Sequence, residues 1–223
     1  MTNQFLCNLA SKLNLCGIFL LGITIFPLAE EEENSPNFVA KTPLVPSIGI
    51  NIPEDVYRSL RQKSDTLLQT IDQLRIQHAK SPELLRLIPD IQIFHKAINW
   101  GLKYQNFYKE TEFKIAENLL DEANARAIQL AKSKAPWTRK SGLIVRGYIS
   151  KIDNSVQPYG LVIPESYTTD PWRKRRLDIW LHGRDNKLSE LKFIHQRQTN
   201  PGQFNPVDTI VLHPYGRFCN AFK

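Results

Sequence analysis

Apolar residues recur at helical spacing through the first half of the chain. Between Val56 and Leu74 they are three, four or seven residues apart, which places them on one side of a helix. Two later segments, residues 91–100 and 111–134, show the same spacing. A further helix is predicted over residues 81–89, because the capping residue Ser81 is followed by a proline. The pattern therefore predicts an antiparallel helical subdomain over residues 51–135.

After this helical region the hydrophobic period becomes shorter. Residues 143–149 and 159–164 have the composition of strands, and Asp153-Asn154 predicts a turn between them. Residues 177–181 and 209–212 are short and mostly apolar, which is typical of strands that are covered on both faces. Between these two runs a short helix is indicated by Leu188, Leu191, Phe193 and Ile194.

The two short apolar runs predict a parallel strand–helix–strand unit. Their first residues are 32 positions apart (209 minus 177), and such a unit takes roughly 30 residues. Each run ends in a leucine that is followed directly by a histidine, so the strands would deliver His182 and His213 to the carboxyl edge of the sheet, where open α/β sheets bind ligands. The predicted fold class is α/β, with the helical subdomain followed by a mixed sheet over residues 136–223.

Four strands would leave the predicted sheet incomplete. The backbone groups on one apolar edge would have no partner, and native proteins avoid such edges because they aggregate. Residues 136–223 are therefore expected to fold poorly by themselves.

The N-terminal pattern predicts a cleaved secretory signal over residues 1–29. Its uncharged core, residues 15–26, is shorter than the about 20 residues that a membrane-spanning helix needs, and Ala29 suits the cleavage point. A buried core helix and an uncleaved anchor are the alternatives. Residues 30–50 are acidic and then rich in proline, which indicates a linker. Of three cysteines only Cys219 would remain after cleavage, so no intramolecular disulfide is expected.

The formal net charge of +7 is modest and spread along the chain. Its one dense cluster is WRKRR, residues 172–176, which a nucleic-acid-binding surface would also show. The cluster lies between Asp170-Pro171 and a predicted buried strand, where a solvated loop is the usual occupant, and regularly spaced aromatic residues are missing. No nucleic-acid partner is therefore expected.

The loop after the predicted strand 177–181 begins with His182-Gly183-Arg184. In acyl-transfer folds with a parallel sheet, a backbone N–H from the loop after the third strand helps to hold the tetrahedral oxyanion. Glycine lets a ligand approach the backbone closely, because a side chain at that position would block it. A glycine between a buried strand and a helix therefore indicates an oxyanion-binding loop.

Four segments resemble the N-terminal part of secreted bacterial α/β-hydrolases of the prolyl-oligopeptidase-like serine hydrolase group. They are RGYISKIDNSVQPYGLVIPESY, RLDIWLHGR, LSEL and PGQFNPVDTIVLHPYGRFCNAFK, and the resemblance is strong over residues 136–223 and looser over the helices. It implies an incomplete α/β-hydrolase sheet whose nucleophile elbow would follow Lys223. The site residues that it implies are His182, Gly183 and Arg184 in the oxyanion-side loop, and His213, Tyr215, Gly216 and Arg217 lining the neighbouring strand end.

No catalytic nucleophile is predicted within the chain. The sequence contains no G-x-S-x-G, the motif that carries the nucleophile in this fold class. Ser189 is nearest to the loop, but it lies on the predicted helix without an adjacent base. Asp185 stands where the group tends to have glycine, so it is expected to stiffen the loop and to place a carboxylate near the oxyanion.

A metal site is the competing interpretation of the histidines. His182, His213 and Asp178 lie on the two neighbouring predicted strands, but Asp178 is at the entering end of its strand. None of the five histidines has HExxH spacing. Hydrogen-bonded histidines are therefore expected, with no metal and no other cofactor.

The expected function is that of the N-terminal portion of a secreted or periplasmic serine hydrolase. In the complete protein the substrate would be an ester or a peptide, and the chain by itself would be inactive because it lacks the nucleophile. The first alternative is a noncatalytic secreted binding module that binds a partner through its helical subdomain and the strand edge. The second is a surface anchor with an unrelated role. No stable membrane anchor is expected after signal cleavage, and the pattern leaves the oligomeric state open.

Overall fold

The computed structural model describes residues 46–170 and 172–217. These residues contain a 3₁₀ turn at Pro136–Arg139. The helices and strands, in chain order, are α1 (Glu54–Gln77), α2 (Pro82–Leu85), α3 (Pro89–Lys103), α4 (Thr111–Ala131), β1 (Gly142–Ile149), β2 (Val156–Ile163), α5 (Ser166–Thr169), β3 (Leu177–Ile179), α6 (Glu190–Thr199) and β4 (Ile210–Pro214).

Local signals place the first four helices close to their predicted positions. α1 has Glu54 and Asp55 in its first turn, where carboxylates interact favourably with the helix dipole. The segment expected to be one helix over residues 81–89 is instead the single turn α2, and Pro89 begins α3 rather than ending a helix. Proline suits the first helical position because the N–H that it lacks would have no partner inside the helix.

The apolar stripes of the helices meet in one hydrophobic core. Leu67 of α1, Phe94 of α3 and Leu120 of α4 are fully buried. The same cluster continues through Val145 of β1 and Phe193 of α6. The helices and the sheet therefore share one core.

Asp90, in the first turn of α3, provides a buried polar link between the helices and the sheet. Its carboxylate is fully buried and accepts hydrogen bonds from Nε1 of Trp137 at 2.9 Å and from Nε of Arg146 at 2.7 Å. It also accepts from the backbone amide of Gly147 at 2.8 Å. A buried carboxylate needs such donors because its desolvation is otherwise costly.

The four strands form one mixed sheet in the order β1-β2-β4-β3. β1 with β2 and β2 with β4 are antiparallel, whereas β3 and β4 are parallel and are joined through α6. The predicted α/β class is therefore confirmed at this level: helices are followed by a mixed sheet that contains a parallel strand–helix–strand unit.

The prediction that both parallel strands are covered on both faces is wrong. Ile210 and Leu212 of β4 are partly exposed, and the exposure is larger for β3. Its residues Leu177 and Ile179 are 57% and 61% exposed. The strand order explains the difference, because β3 lies at the edge of the sheet and α6 packs mainly against β1 and β2. An apolar run in the sequence does not reveal which strand of a sheet will be the edge.

α3 and α6 lie on the same face of the sheet. A Cβ at Gly147 of β1 would be 2.1 Å from the carbonyl oxygen of Pro89, and one at Gly160 of β2 would be 2.6 Å from the side chain of Arg197. Gly160 is paired with Val145, which is two residues from Gly147, so both glycines point to one face. We call this the covered face, and glycine is needed at both positions because the helices approach the strands so closely.

The described residues include only the end of the N-terminal region. The expected signal peptide over residues 1–29, Cys219 and the first part of the expected linker lie outside them. The last part of that linker segment belongs to the fold, because the amides of Gly49 and Ile50 donate to backbone carbonyls at 2.7 Å each. Within residues 46–170 and 172–217, no helix combines the length and the apolar character needed to cross a membrane.

Candidate functional site

The predicted oxyanion-side loop lies between β3 and α6, at the carboxyl end of β3. The last hydrogen bond of the parallel ladder is donated by the Trp180 amide to the carbonyl of Leu212 at 2.9 Å, and the chain then leaves the sheet. Gly183 and Arg184 lie in the loop and not in a helix. Within the part of the chain that the structure describes, neither amide donates a hydrogen bond.

His182 joins this loop to the loop after β4. Its Nε2 accepts a hydrogen bond from the amide of Gly216 at 2.9 Å, and its Nδ1 lies 2.8 Å from the carbonyl oxygen of Gly183. Because Nε2 is the acceptor, the proton of the neutral ring is on Nδ1 and is donated to Gly183. The carbonyl of Gly183 therefore faces the ring. In a trans peptide the amide of Arg184 then points to the opposite side.

Aromatic contacts hold the two loops together. The ring centroids of His182 and Tyr215 are 6.0 Å apart, and those of Tyr215 and Phe193 are 4.8 Å apart. The hydroxyl of Tyr215 donates to the carbonyl of Leu188 at 2.8 Å, just before α6. The structure thus brings together the predicted site residues His182, Tyr215 and Gly216, which come from the ends of two adjacent parallel strands.

The carboxylate of Asp185 is directed toward α6. Its Oδ1 accepts from the amide of Lys187 at 2.8 Å, and its Oδ2 pairs with Nζ of Lys192 at 2.8 Å. Burial by itself would raise the pKa of Asp185, but these hydrogen bonds outweigh that effect and keep the pKa below its ordinary value. Its negative charge is therefore balanced by Lys192, and its bond to Lys187 fixes the turn that leads into α6.

Ser189 is the N-cap of α6 and not a residue inside the helix. Its hydroxyl accepts a hydrogen bond from the amide of Lys192 at 3.3 Å, and the residue is 4% exposed. Serine is favoured here because its oxygen satisfies an amide that has no partner within the helix. This arrangement agrees with a capping role for Ser189.

The prediction that His213 lies at the carboxyl edge beside His182 is wrong. β4 extends to Pro214, so His213 lies inside the strand, where it pairs with Gly160 and points to the covered face. Its Nδ1 accepts a hydrogen bond from Nη1 of Arg197 at 3.2 Å. Burial, assisted by the charge of Arg197, lowers the pKa of His213 to about 4, so the ring is neutral at pH 7.

Arg217 and Tyr215 border a small cavity between the sheet and the helices. The guanidinium of Arg217 is 5.9 Å from the ring centroid of Trp100 and 3.9 Å from the carboxylate of Asp153. The cavity has a volume of about 40 Å³, and its lining includes Trp100, Asn106, Ser189, Glu190, Tyr215 and Arg217. The guanidinium of Arg217 thus contacts Trp100 of α3.

Glu190 is a buried charged residue that the sequence analysis did not single out. Its Oε1 accepts a hydrogen bond from Nζ of Lys96 at 2.6 Å, and both side chains are at most 10% exposed. Burial raises the pKa of Glu190, although the charge of Lys96 opposes the shift. The two residues are 94 positions apart, so no local pattern could have identified the pair.

The residues of the alternative metal site have other partners. Asp178 pairs with Arg176 at 2.7 Å, and the two histidines make the hydrogen bonds described above. Among the residues that the structure describes, no three His, Cys, Asp or Glu side chains are grouped so that they could hold a metal ion.

The basic cluster 172–176 is partly built into the fold. The side chain of Arg175 is 2% exposed, donates to the carbonyl of Ser166 at 2.7 Å and lies 3.4 Å from the carboxylate of Asp208. Arg173 shares the same carboxylate at 2.6 Å. Arg175 thus has a structural role, because its guanidinium anchors the loop before β3.

The two strand-end loops form one cluster whose geometry is set by His182. No family model, curated protein or solved structure matches this chain. The evidence for a function therefore comes from the cluster itself: a glycine-containing loop at the carboxyl end of a parallel strand, whose Gly183 and Arg184 amides donate no hydrogen bond within the described residues.

Proposed function

We propose that the chain is the N-terminal portion of a secreted or periplasmic serine hydrolase that cleaves an ester or peptide bond. One observation carries this proposal: the amides of Gly183 and Arg184 follow β3 at the carboxyl end of a parallel strand pair and donate to nothing in the described structure. Amides in this position stabilise a tetrahedral oxyanion in acyl-transfer enzymes with parallel sheets.

The hydrogen bonds of His182 favour the Arg184 amide as the oxyanion donor. His182 turns the carbonyl of Gly183 toward its own ring, and the amide of the same peptide group therefore points away from it. Such a fixed donor costs no reorganisation when charge develops, and losing one donor typically lowers the rate by about 10²- to 10³-fold. His182 is thus a positioning residue.

Gly183 also suits close approach by a ligand. A Cβ at this position would meet no atom within 4 Å, and the residue does not have the positive φ that favours glycine. Neither packing nor backbone conformation requires glycine here. The approach of an acyl group to the backbone supplies a reason for it.

The edge of the sheet at β3 agrees with a domain that continues. The ladder to β4 uses the carbonyl of Arg176 and the amide of Trp180, so the N–H and C=O groups of Leu177 and Ile179 face the other side. At the opposite edge, formed by β1, Arg126 donates to the carbonyl of Val145 at 2.9 Å. Asp90 accepts from the amide of Gly147, which also faces away from the sheet. One edge is therefore protected by charged side chains and the other is left open.

We expect the nucleophile of the proposed hydrolase to lie outside these 223 residues. Ser189 is engaged as a helix cap, and the sequence has no G-x-S-x-G. The purified 223-residue chain should therefore not react with a fluorophosphonate probe, with a serine esterase as the positive control. Labelling that disappears in Ser189→Ala would show that the nucleophile is present after all and would overturn this part of the proposal.

The genomic sequence after the Lys223 codon tests the rest of the proposal. An in-frame G-x-S-x-G within about a hundred codons would support it, because the nucleophile follows the oxyanion loop in this fold class. A stop codon followed by unrelated sequence would contradict it.

The second candidate is a noncatalytic secreted binding module. It is favoured by the apolar side chains of Leu177 and Ile179, which are more than half exposed. The helical subdomain is less suited to this role than expected, because the apolar stripes of α1, α3 and α4 are used in the core. A partner would bind instead to the sheet.

A further inference from the structure

The face of the sheet opposite to the covered face carries aliphatic side chains on all four strands. Ile144 of β1, beside Leu161, is buried, and the exposed aliphatic part of this face lies on β2, β4 and β3. In the registers of the sheet, Leu161 of β2 is beside Leu212 of β4, which is beside Ile179 of β3. Two residues earlier on the same two strands, Ile210 of β4 is beside Leu177 of β3. We call these residues, together with Ile163, the open face. Leu161, Ile163, Ile210 and Leu212 are partly exposed, and the two β3 residues are more than half exposed.

The main helical contacts within the described residues lie on the other face of the sheet. The two helices that make the main contacts with the sheet, α3 and α6, both lie on the covered face, as the approaches at Gly147 and Gly160 show. Parallel strands occur almost only in sheets that are covered on both faces. A continuous aliphatic patch on a parallel strand pair is therefore an interaction surface.

We propose that the open face binds an amphipathic α-helix. The apolar stripe of this helix would contact the open face, and acidic residues beside the stripe would lie near the start of β3. The dimensions agree with a single helix: neighbouring strands are about 4.8 Å apart, so β2, β4 and β3 together span about 10 Å. A helix with its side chains is about 10–12 Å across.

The charge next to the open face selects the acidic flank. Four basic residues, Arg173 to Arg176, directly precede β3. Two of them, Arg173 and Arg175, share the single carboxylate of Asp208. Arg176 pairs instead with Asp178 at 2.7 Å, and Asp178 is in register with Val211 of the covered face. Because two arginines share one carboxylate, positive charge remains before β3, and the side chain of Arg173 is 59% exposed. Acidic residues on the bound helix would lie beside these cations.

This inference is independent of the proposed hydrolase activity. It concerns the flat face of the sheet, whereas the oxyanion-side loop lies at the carboxyl ends of the strands. The fluorophosphonate test has no bearing on the open face, and the peptide-binding test has none on the nucleophile, so the two proposals can fail separately.

A labelled synthetic peptide tests the proposal with the full chain. The probe is a helical peptide of about 18 residues with leucines at i, i+3, i+4 and i+7 and glutamates beside the stripe. One control peptide has the same composition in a scrambled order, and a second has lysine in place of each glutamate. Fluorescence anisotropy should show that the glutamate peptide binds at least about tenfold more tightly than either control.

Matched variants locate the binding site. Ile179→Asp should weaken binding of the glutamate peptide by about tenfold or more, because it places a charge in the apolar contact. Ile128→Asp is the control, since Ile128 lies on α4 with a similar exposure of 59%. Failure of the glutamate peptide to bind, equal binding of the scrambled peptide, or equal loss in both variants would overturn the proposal.

Sedimentation velocity tests a competing occupant, which is a second copy of the chain. The proposal expects the chain without peptide to be monomeric at the concentrations of the binding assay. A dimer that Ile179→Asp converts to a monomer, while Ile128→Asp does not, would show that a second sheet covers the open face. That result would overturn the assignment of a helix.

Discussion

The amide of Gly216 donates a hydrogen bond to Nε2 of His182 at 2.9 Å. The two residues are 34 positions apart and belong to the loops that follow β4 and β3. Because the strands are parallel neighbours, both loops leave the sheet at the same edge. This bond fixes the ring of His182, and the ring in turn orients the peptide group between Gly183 and Arg184.

Replacing His182 should release the two loops from each other. In His182→Ala the amide of Gly216 loses its acceptor, and we expect its hydrogen exchange to become about fivefold faster, as for the loss of one hydrogen bond of about 1 kcal/mol. Exchange measured by NMR, with His195→Ala as the control, checks this. Unchanged exchange at Gly216 in His182→Ala would contradict the role assigned to the ring.

The tautomer of His182 can be observed in the unaltered protein. Long-range ¹H–¹⁵N spectra at pH 8 should show the proton on Nδ1, because Nε2 accepts from the amide of Gly216. A proton on Nε2 would be incompatible with both hydrogen bonds.

Removing the carboxylate of Asp90 should destabilise the fold strongly. Asp90→Ala leaves the donors of Trp137, Arg146 and Gly147 without their acceptor, and we expect a loss of about 3 kcal/mol in the free energy of unfolding. Urea denaturation measures the change. Asp72→Ala is the control, because that carboxylate is 56% exposed and its pair with Arg75 lies on the surface, so the change should stay within about 0.5 kcal/mol. Equal effects in the two variants would argue against the buried network.

His213 should make the fold sensitive to acid. Its pKa is about 4 in the folded state, mainly because of burial, and 6.5 in the unfolded reference. The unfolded chain therefore binds this proton more readily, so the contribution to stability is complete above pH 6.5 and is lost as the pH falls from 6.5 to about 4. The full effect is about 3 kcal/mol.

A comparison of variants isolates this contribution from other acidic titrations. We expect the free energy of unfolding of His213→Gln to fall less than that of the unaltered protein between pH 7 and pH 4, by about 3 kcal/mol. Urea denaturation at several pH values provides the measurement, and His195→Gln serves as the control. Parallel pH profiles for the unaltered protein and His213→Gln would show that His213 does not resist protonation in the fold.

Replacing glycine by alanine should destabilise the fold at Gly147 but not at Gly183. In Gly147→Ala the new methyl group would lie 2.1 Å from the Pro89 carbonyl oxygen, so α3 must move and we expect a loss of about 2 kcal/mol or more. Gly183→Ala places its methyl group in open space, and stability should change by less than about 0.5 kcal/mol. Thermal or urea unfolding of both variants tests the difference, and similar losses in the two would contradict the packing described at Gly147.

The hydrophobic pattern predicted the helices well because helical period is a local property. The stripe that ends at Leu130 and the proline at position 82 were enough to locate α4 and the start of α2. The pattern failed at Pro89, which can either end a helix or begin one. Sequence alone did not separate these two roles.

The candidate site was predicted in part. His182 and Gly183 follow β3 as expected, because the end of an apolar run is visible in the sequence. His213 was misplaced because β4 extends two residues beyond its predicted end, which moves the ring from the rim to the covered face. The pair of Lys96 and Glu190 had no signal, since it depends on how α3 and α6 meet.

The sequence by itself determined which segments become helices and strands, where the parallel unit lies and which loop carries the glycine, because each of these depends on neighbours a few residues apart. Only the tertiary structure decided that β3 is the edge strand, that the main helical contacts of the described residues lie on one face of the sheet, and that His182 binds the amide of Gly216. The physical reason is that burial and hydrogen-bond partners depend on how distant segments pack. The identity of a residue does not reveal which neighbours the fold will give it.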